Sequence, residues 1–219
     1  MQAVAAPPVF EDSMAQRTLA CTACHGDQGR AGPDGYYPRI AGKPAGYLYN
    51  QLLNFRDGRR HYNPMTGLLD PLNTAYLKEI AQYFSALDLP YPAPLTYTTS
   101  PAVLQRGETL ATQGDISRSI PACTQCHGEA LTGVEPVVPG LLGLPRDYLN
   151  AQLGSWIAGQ RRAHSPDCMA RVTKKMTAED VTAVSSWLAS RPLPGNTRPA
   201  RARSTVSTET NAIQCGSAP

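Results

Sequence analysis

Two Cys-x-x-Cys-His pentads constrain this 219-residue chain more than any other feature of its sequence. They read Cys21-Thr-Ala-Cys24-His25 and Cys123-Thr-Gln-Cys126-His127. This spacing is typical of c-type haem attachment, in which two thiols bond to the porphyrin edge and the adjacent histidine binds the iron. The pentads therefore predict two covalently attached haem c groups. The predicted attachment residues are Cys21, Cys24, Cys123 and Cys126, and the predicted iron ligands are His25 and His127.

Other uses of a Cys-x-x-Cys pair fit less well. A zinc ribbon needs a second pair within about 20 residues or a following His-x-x-x-His. Here the two pairs lie a whole domain apart, and each has its own adjacent histidine. A thioredoxin-like site needs a preceding strand in a βαβ unit, and no β-rich run precedes Cys21 or Cys123. The pentads favour haem attachment.

The apolar runs and the charge of the sequence bear on the location of the protein and on its binding partners. No apolar run reaches the ~20 residues that a transmembrane helix needs, and no signal peptide is recognisable at Met1. Because haem is normally attached outside the bacterial cytoplasm, we expect a periplasmic protein whose export signal has been removed. The formal charge of +3 would be offset by haem propionates. No dense basic face with interleaved aromatic residues exists, so nucleic-acid binding is not expected.

The second half of the chain repeats the first. When the pentads are aligned, the segment Pro38 to Gly58 matches Pro139 to Gly159 at most of its Pro, Gly, Tyr, Leu and Gln positions. Three residues are inserted in the second half before Met169, which then pairs with Met65. A duplicated domain explains these matches.

Each half predicts the same series of elements. Helices lead into the pentads over residues 12–21 and 103–110, and amphipathic helices follow over 44–56 and 145–158. A loop carrying a methionine comes next, and the half closes with a helix over 73–87 or 178–189. Thr177 and Asp180 predict an N-terminal cap for the last of these.

The domain boundaries follow from composition. We expect one domain over residues 8–90, a Pro-rich linker over 91–101, a second domain over 102–193 and an irregular tail over 194–219. The predicted fold is all-α, with two tandem haem-binding domains.

Met65 and Met169 are the candidates for the second axial iron ligand. They hold matching places in the repeat, and a thioether ligand raises the haem potential. The alternative is that each methionine fills core space. Met176 is a rival ligand, but its counterpart Leu72 marks it as a core residue. His61 and His164 could instead give bis-His ligation, although they fit exposed loop histidines better.

Four arginines precede these methionines, namely Arg59, Arg60, Arg161 and Arg162. They either pair with haem propionates or form a solvated face. The sequence leaves both readings open.

The layout resembles the class I cytochromes c and, more closely, the di-haem cytochrome c4 type. The matching segments are 42–59 with Met65 in the first half, and 143–159 with Met169 in the second. The resemblance implies an all-α fold and transfer of electrons between periplasmic redox partners. It also implies that a carbonyl of Pro38 or Pro139 orients the iron-binding histidine through its ring N–H.

Cys168 and Cys215 remain after the pentads are assigned. In an oxidising compartment two such cysteines usually pair, and a disulfide would join the tail to the second domain. Alternatively, Cys168 could ligate iron as a thiolate, as in thiosulfate dehydrogenases that resemble di-haem cytochromes.

The sequence therefore predicts a di-haem electron carrier rather than an enzyme. Expected partners are a donor dehydrogenase or a quinol-oxidising complex and an acceptor oxidase, with association at the periphery of a membrane complex as one arrangement. The alternative is a thiosulfate dehydrogenase-like di-haem enzyme, or the cytochrome subunit of a larger dehydrogenase complex.

Overall fold

The computed structural model of the chain describes residues 11–32, 35–93, 96–202 and 214–217. The predicted start of the first domain at residue 8, two linker positions and most of the tail beyond Ala202 lie outside these residues. Ten α-helices and one short hairpin form the described part of the chain. None of these helices has the length and apolar character needed to cross a membrane.

The first half contains five helices: α1 (Met14–Arg17), α2 (Leu19–His25), α3 (Ala45–Arg56), α4 (Asn63–Leu69) and α5 (Thr74–Ala86). Side-chain oxygens cap two of them, because Ser13 accepts from the Gln16 amide and Asn73 accepts from the Tyr76 amide. Such caps satisfy amide groups that have no partner within the helix. Helix α5 packs along α3, and this pair forms the frame of the first half.

The second half contains five helices and the hairpin: α6 (Pro101–Thr112), α7 (Cys123–His127), β1 (Gly133–Val134), β2 (Val138–Pro139), α8 (Arg146–Ile157), α9 (Cys168–Thr173) and α10 (Ala178–Ser190). The predicted cap on α10 is present as a reciprocal pair between Thr177 and Asp180. Strands β1 and β2 pair antiparallel, and helix α10 packs against both α6 and α8.

Each half has its own apolar core. Leu77 and Phe84 of α5 are almost fully buried at the centre of the first core. Val184, Trp187 and Leu188 of α10 occupy the same place in the second. The two cores correspond to the two repeats in the sequence.

The segments that carry Met65 and Met169 are helices, which corrects the prediction of loops. Pro64 lies in the first turn of α4, where its missing N–H is no loss. Asp167 caps α9 by accepting from the Ala170 amide. Both helices are short, with seven and six residues, so no clear helical period reveals them in the sequence.

The described parts of the tail contact both halves. Arg198 forms an ion pair with Asp88, with 2.6 Å between nitrogen and oxygen. Ala200 then pairs with the hairpin through hydrogen bonds to Gly133 and Glu135. Further on, the Ser217 carbonyl accepts a hydrogen bond from the Asn50 side chain at 3.2 Å. The described parts of the tail therefore lie against both halves.

Candidate haem sites

Both pentads lie on helices that end at the histidine. Helix α2 ends at His25 and α7 ends at His127, and a glycine with positive φ follows each, at 75° for Gly26 and 85° for Gly128. A Cβ atom on Gly26 would lie 2.2 Å from the Ala31 carbonyl oxygen. This close approach needs glycine, and it turns the chain sharply just after the histidine.

A proline carbonyl fixes each histidine ring. His25 Nδ1 lies 2.8 Å from the Pro38 carbonyl oxygen, and His127 Nδ1 lies 2.8 Å from that of Pro139. Because a carbonyl oxygen can only accept, each Nδ1 carries the proton and each Nε2 keeps its lone pair. The predicted proline contacts are thus confirmed in both halves. They are the partners that orient a metal-binding imidazole.

Burial disfavours the charged form of both imidazoles. His25 and His127 are each 8% exposed. Burial lowers the pKa of each ring, and the hydrogen bond to the proline carbonyl offsets only part of that effect. A neutral imidazole with a free Nε2 is the form that binds iron.

The pentad cysteines lack the features of a reactive redox dithiol. None of the four is in a disulfide. Burial raises the pKa of the Cys123 thiol to about 11 and also raises that of Cys21. A catalytic dithiol or a zinc site needs the opposite shift. Within the described ranges, no group of three His, Cys, Asp or Glu side chains could hold a metal ion.

Met65 and Met169 lie at matching places in the two halves. Helix α4 packs on α3, and α9 packs on α8. Both methionines are half-buried, and Met65 contacts the edge of the first core. Met176 contacts the second core, as expected for the counterpart of Leu72.

The two remaining histidines fit the expectation of loop residues. His61 is exposed and His164 is half-buried. The His61 amide donates to the Gln160 carbonyl across the junction between the halves.

A cluster of two arginines and two glutamines joins the halves, and the sequence did not reveal it. Arg60 donates to Gln51 Oε1 at 3.1 Å and to Gln152 Oε1 at 2.7 Å. Arg161 donates to Gln152 Oε1 at 2.7 Å and to Gln51 Oε1 at 2.9 Å. Each half supplies one arginine and one glutamine, so the cluster has approximate two-fold symmetry. The Gln-Leu pair and the arginine occur at matching positions in both halves, and this repetition is the sequence pattern that could have indicated the cluster.

The two central arginines have no carboxylate partner among the described residues. Arg161 is 5% exposed, and its guanidinium lies 3.8 Å from the Trp156 ring centroid. Burial, followed by the charge of Arg60, lowers the pKa of Arg161 to about 10. Arg59 differs because it pairs with Asp57. Arg162 differs because it is exposed, and it donates to the Gly58 carbonyl. A buried cation beside a half-buried one is stabilised by anions nearby, and haem propionates would supply them.

Cys168 and Cys215 form a disulfide, which confirms the predicted pairing. It joins the end of the tail to the start of α9. A disulfide sulfur is not a thiolate, so the alternative in which Cys168 ligates iron is wrong for this state of the protein.

These features define a class of protein. Two helical domains, each with a buried, oriented histidine beside a Cys-x-x-Cys pair, form a di-haem c-type cytochrome of the class I fold. Comparison with known proteins narrows the class, although no family model matches the chain.

The chain is 39% identical over 189 residues to the "Thiosulfate dehydrogenase electron acceptor" of Thiomonas intermedia, covering 86% of this chain and 82% of the relative. It is 31% identical over 174 residues to cytochrome c4 of Pseudomonas aeruginosa, covering 78% and 84%. It therefore belongs to the di-haem cytochrome c4 family, carries two covalent haem c groups and transfers electrons.

Solved structures agree. Reduced cytochrome c4 from Pseudomonas stutzeri matches with a TM-score of 0.67 and 31% identity, over 80% of this chain and 95% of that one. A thiosulfate dehydrogenase (TsdBA) from Marichromatium purpuratum matches with a TM-score of 0.72 and 31% identity. This chain aligns over 82% of its own length but spans only 40% of that protein.

Proposed function

We propose that each half holds one haem through its own four residues. In the first half these are Cys21, Cys24, His25 and Met65, and in the second they are Cys123, Cys126, His127 and Met169. Haem supplies a one-electron iron couple when bound. The two histidine–proline hydrogen bonds carry the assignment, because they present a bare Nε2 from a fixed ring in both halves. Domain boundaries at residues 8–90 and 102–193 fit the two apolar cores.

Arg60 and Arg161 would bind the propionates at the junction between the halves. The Arg161 side chain is buried and the Arg60 side chain is half-buried. The polar partners of the two guanidinium groups among the described residues are amide and hydroxyl oxygens. An anion placed there would compensate both charges. This favours the first of the two readings left open by the sequence.

The chain would act as a carrier with no substrate chemistry of its own. Catalysis at a haem iron needs an open or exchangeable coordination position. Ligation of one iron by Met65 and of the other by Met169 would close that position on both. The disulfide at Cys168 removes the thiolate that the enzyme alternative requires. The relative of highest identity reported above is named as an electron acceptor, which supports the same reading.

The donor would be a thiosulfate dehydrogenase acting in the periplasm. Joining two thiosulfate ions through a new sulfur–sulfur bond releases two electrons, and two haems can accept one each. The similarity to an electron acceptor of this enzyme and to part of TsdBA supports the assignment. Such a chain could serve as a separate carrier or as the cytochrome subunit of a larger dehydrogenase complex.

A reduction assay tests this proposal. The oxidised protein is mixed with thiosulfate in the presence or absence of a thiosulfate dehydrogenase, and absorbance of the reduced haems is recorded. We expect no reduction by thiosulfate alone and uptake of two electrons per chain when the dehydrogenase is present.

Each other result has a definite meaning. Reduction without the dehydrogenase, with formation of the sulfur–sulfur product, would establish the enzyme alternative. Reduction by dithionite but not by the dehydrogenase with thiosulfate would contradict the proposed donor.

A further inference from the structure

A buried lysine of the first half contacts the turn that orients the candidate iron-binding histidine of the second half. Lys43 is 5% exposed, and its Nζ donates a hydrogen bond to the Gly140 carbonyl at 3.3 Å. Gly140 directly follows Pro139, whose carbonyl orients His127. A charge from one half of the molecule therefore lies against the turn that fixes the iron-binding histidine of the other.

Docking of the two halves places this lysine. Helix α3 begins just after Lys43, and the Gly46 amide in its first turn donates to the Pro136 carbonyl of the hairpin at 3.0 Å. A Cβ atom on Gly46 would lie 2.7 Å from that same oxygen. The absence of a side chain at Gly46 lets the start of α3 approach the hairpin, and Lys43 then reaches Gly140.

The charge of Lys43 is not balanced by the protein. Among the described residues it has no ion-pair partner, and its hydrogen-bond acceptor is a neutral carbonyl. Burial, together with the charge of Arg39, lowers the pKa of Lys43 to about 8, so the amine remains mostly protonated at neutral pH.

The position is specific to one half of the repeat. The counterpart of Lys43 is Leu144, which packs in the second apolar core. An apolar residue therefore fits the local fold at this place in the repeat, and folding of the first half does not require a cation there. A buried charge with no partner is unfavourable for stability, so its role is better sought in electrostatics.

We propose that Lys43 raises the reduction potential of the haem held by the second half, through a fixed positive charge beside the Pro139–Gly140 turn. Reduction lowers the positive charge of the iron site by one, and a nearby cation stabilises the reduced form. The effect exists only while the halves are docked. The inference rests on the proposed role of His127 as an iron ligand.

A set of three variants of the full-length di-haem protein tests this role. Lys43→Met removes the charge and keeps a side chain of similar length, whereas Lys43→Arg keeps the charge. Lys78→Met removes a charge from an exposed position on α5 and serves as the control. Each haem is followed separately in a redox titration through its shifted methyl resonances in NMR spectra.

Lys43→Met should shift the reduction equilibrium of the second haem about tenfold toward the oxidised form, which is ~59 mV for one electron. Lys43→Arg should shift either haem less than about threefold, because it keeps the charge. Lys78→Met should also shift either haem less than about threefold, because an exposed charge is screened by water and salt. An unchanged second haem, or equal shifts of both haems in Lys43→Met, would overturn the proposal.

Failure to fold is also informative. If Lys43→Met and Lys43→Gln give no folded di-haem protein while Lys43→Arg does, the charge serves folding and the proposal is wrong. Loss of the proposed His127 ligation would appear differently, as an altered haem spectrum in the unmodified protein.

Discussion

Met169 is the residue at which the account of the second site is most easily tested. We expect Met169→Ala to open one iron to a weak ligand, which converts one haem from low-spin to high-spin and allows it to bind carbon monoxide. Electronic absorption spectra with and without carbon monoxide measure this change.

Met176→Ala is the matched control, because Met176 packs against the second core. It should lower stability and leave both haems low-spin. The reverse pattern, with carbon monoxide binding only in Met176→Ala, would make Met176 the ligand.

Asp180 is a buried carboxylate whose charge makes stability depend on pH. Burial alone would raise its pKa, but hydrogen bonds from Arg118, the Thr177 amide and Arg106 together lower the pKa to about 2. The pKa in the unfolded chain is ~3.9, so the ionised Asp180 contributes about 2 kcal/mol above that pH. This contribution is lost as the pH falls from 4 to 2.

Asp180→Asn should therefore lower the free energy of unfolding by about 2 kcal/mol at pH 7, and the difference should shrink below pH 4 and disappear only below pH 2. Urea unfolding followed by circular dichroism measures it. Asp147→Asn is the control, since Asp147 is 78% exposed in its pair with Arg146 and should show no difference at any pH. A constant difference between pH 7 and pH 2 would contradict the electrostatic account of Asp180.

At the scale of elements, the contact between α6 and α10 depends on a glycine. A Cβ atom on Gly107 would lie 2.2 Å from the Ala183 carbonyl oxygen. Gly107→Ala must push the helices apart and should lower the free energy of unfolding by about 1–3 kcal/mol.

Gly154 in α8 gives the opposite expectation, because nothing lies within 4 Å of a Cβ atom there. Gly154→Ala should raise stability by about 0.5–1 kcal/mol through helix propensity alone. Thermal unfolding of both variants gives the comparison. Equal effects of the two substitutions would show that the helix contact is not as close as described.

The elements also show what sequence can and cannot predict. Long amphipathic helices such as α3 and α5 follow from helical spacing, and the cap at Thr177 follows from its pattern. The short helices that carry Met65 and Met169 were predicted as loops, because one or two turns contain too few residues to show a period. Their existence depends on local caps and on packing against α3 and α8.

For the whole molecule, the repeat and the pentads predicted two domains of one fold, and two cysteines without a haem role predicted the disulfide. The junction between the halves could not be predicted in the same way. Arg59 and Arg60 are neighbours in sequence, yet only Arg60 enters the central cluster, because docking decides which one turns inward. Lys43 was missed for the same reason.

The disulfide acts at this whole-molecule scale, because it closes a loop with a sequence separation of 47. The double variant Cys168→Ser with Cys215→Ser should lower the free energy of unfolding by about 2–4 kcal/mol and leave both haem spectra unchanged. Denaturant unfolding and absorption spectra check the two parts. A changed axial ligand in this variant would mean that the disulfide, and not Met169, determines the coordination of the second iron.

Low-temperature electron paramagnetic resonance of the oxidised protein tests the central claim most directly, since it reports both irons at once. A carrier with His25 and Met65 on one iron and His127 and Met169 on the other predicts two low-spin ferric signals of the histidine–methionine type. A high-spin signal or a thiolate-type signal from either iron would contradict the account.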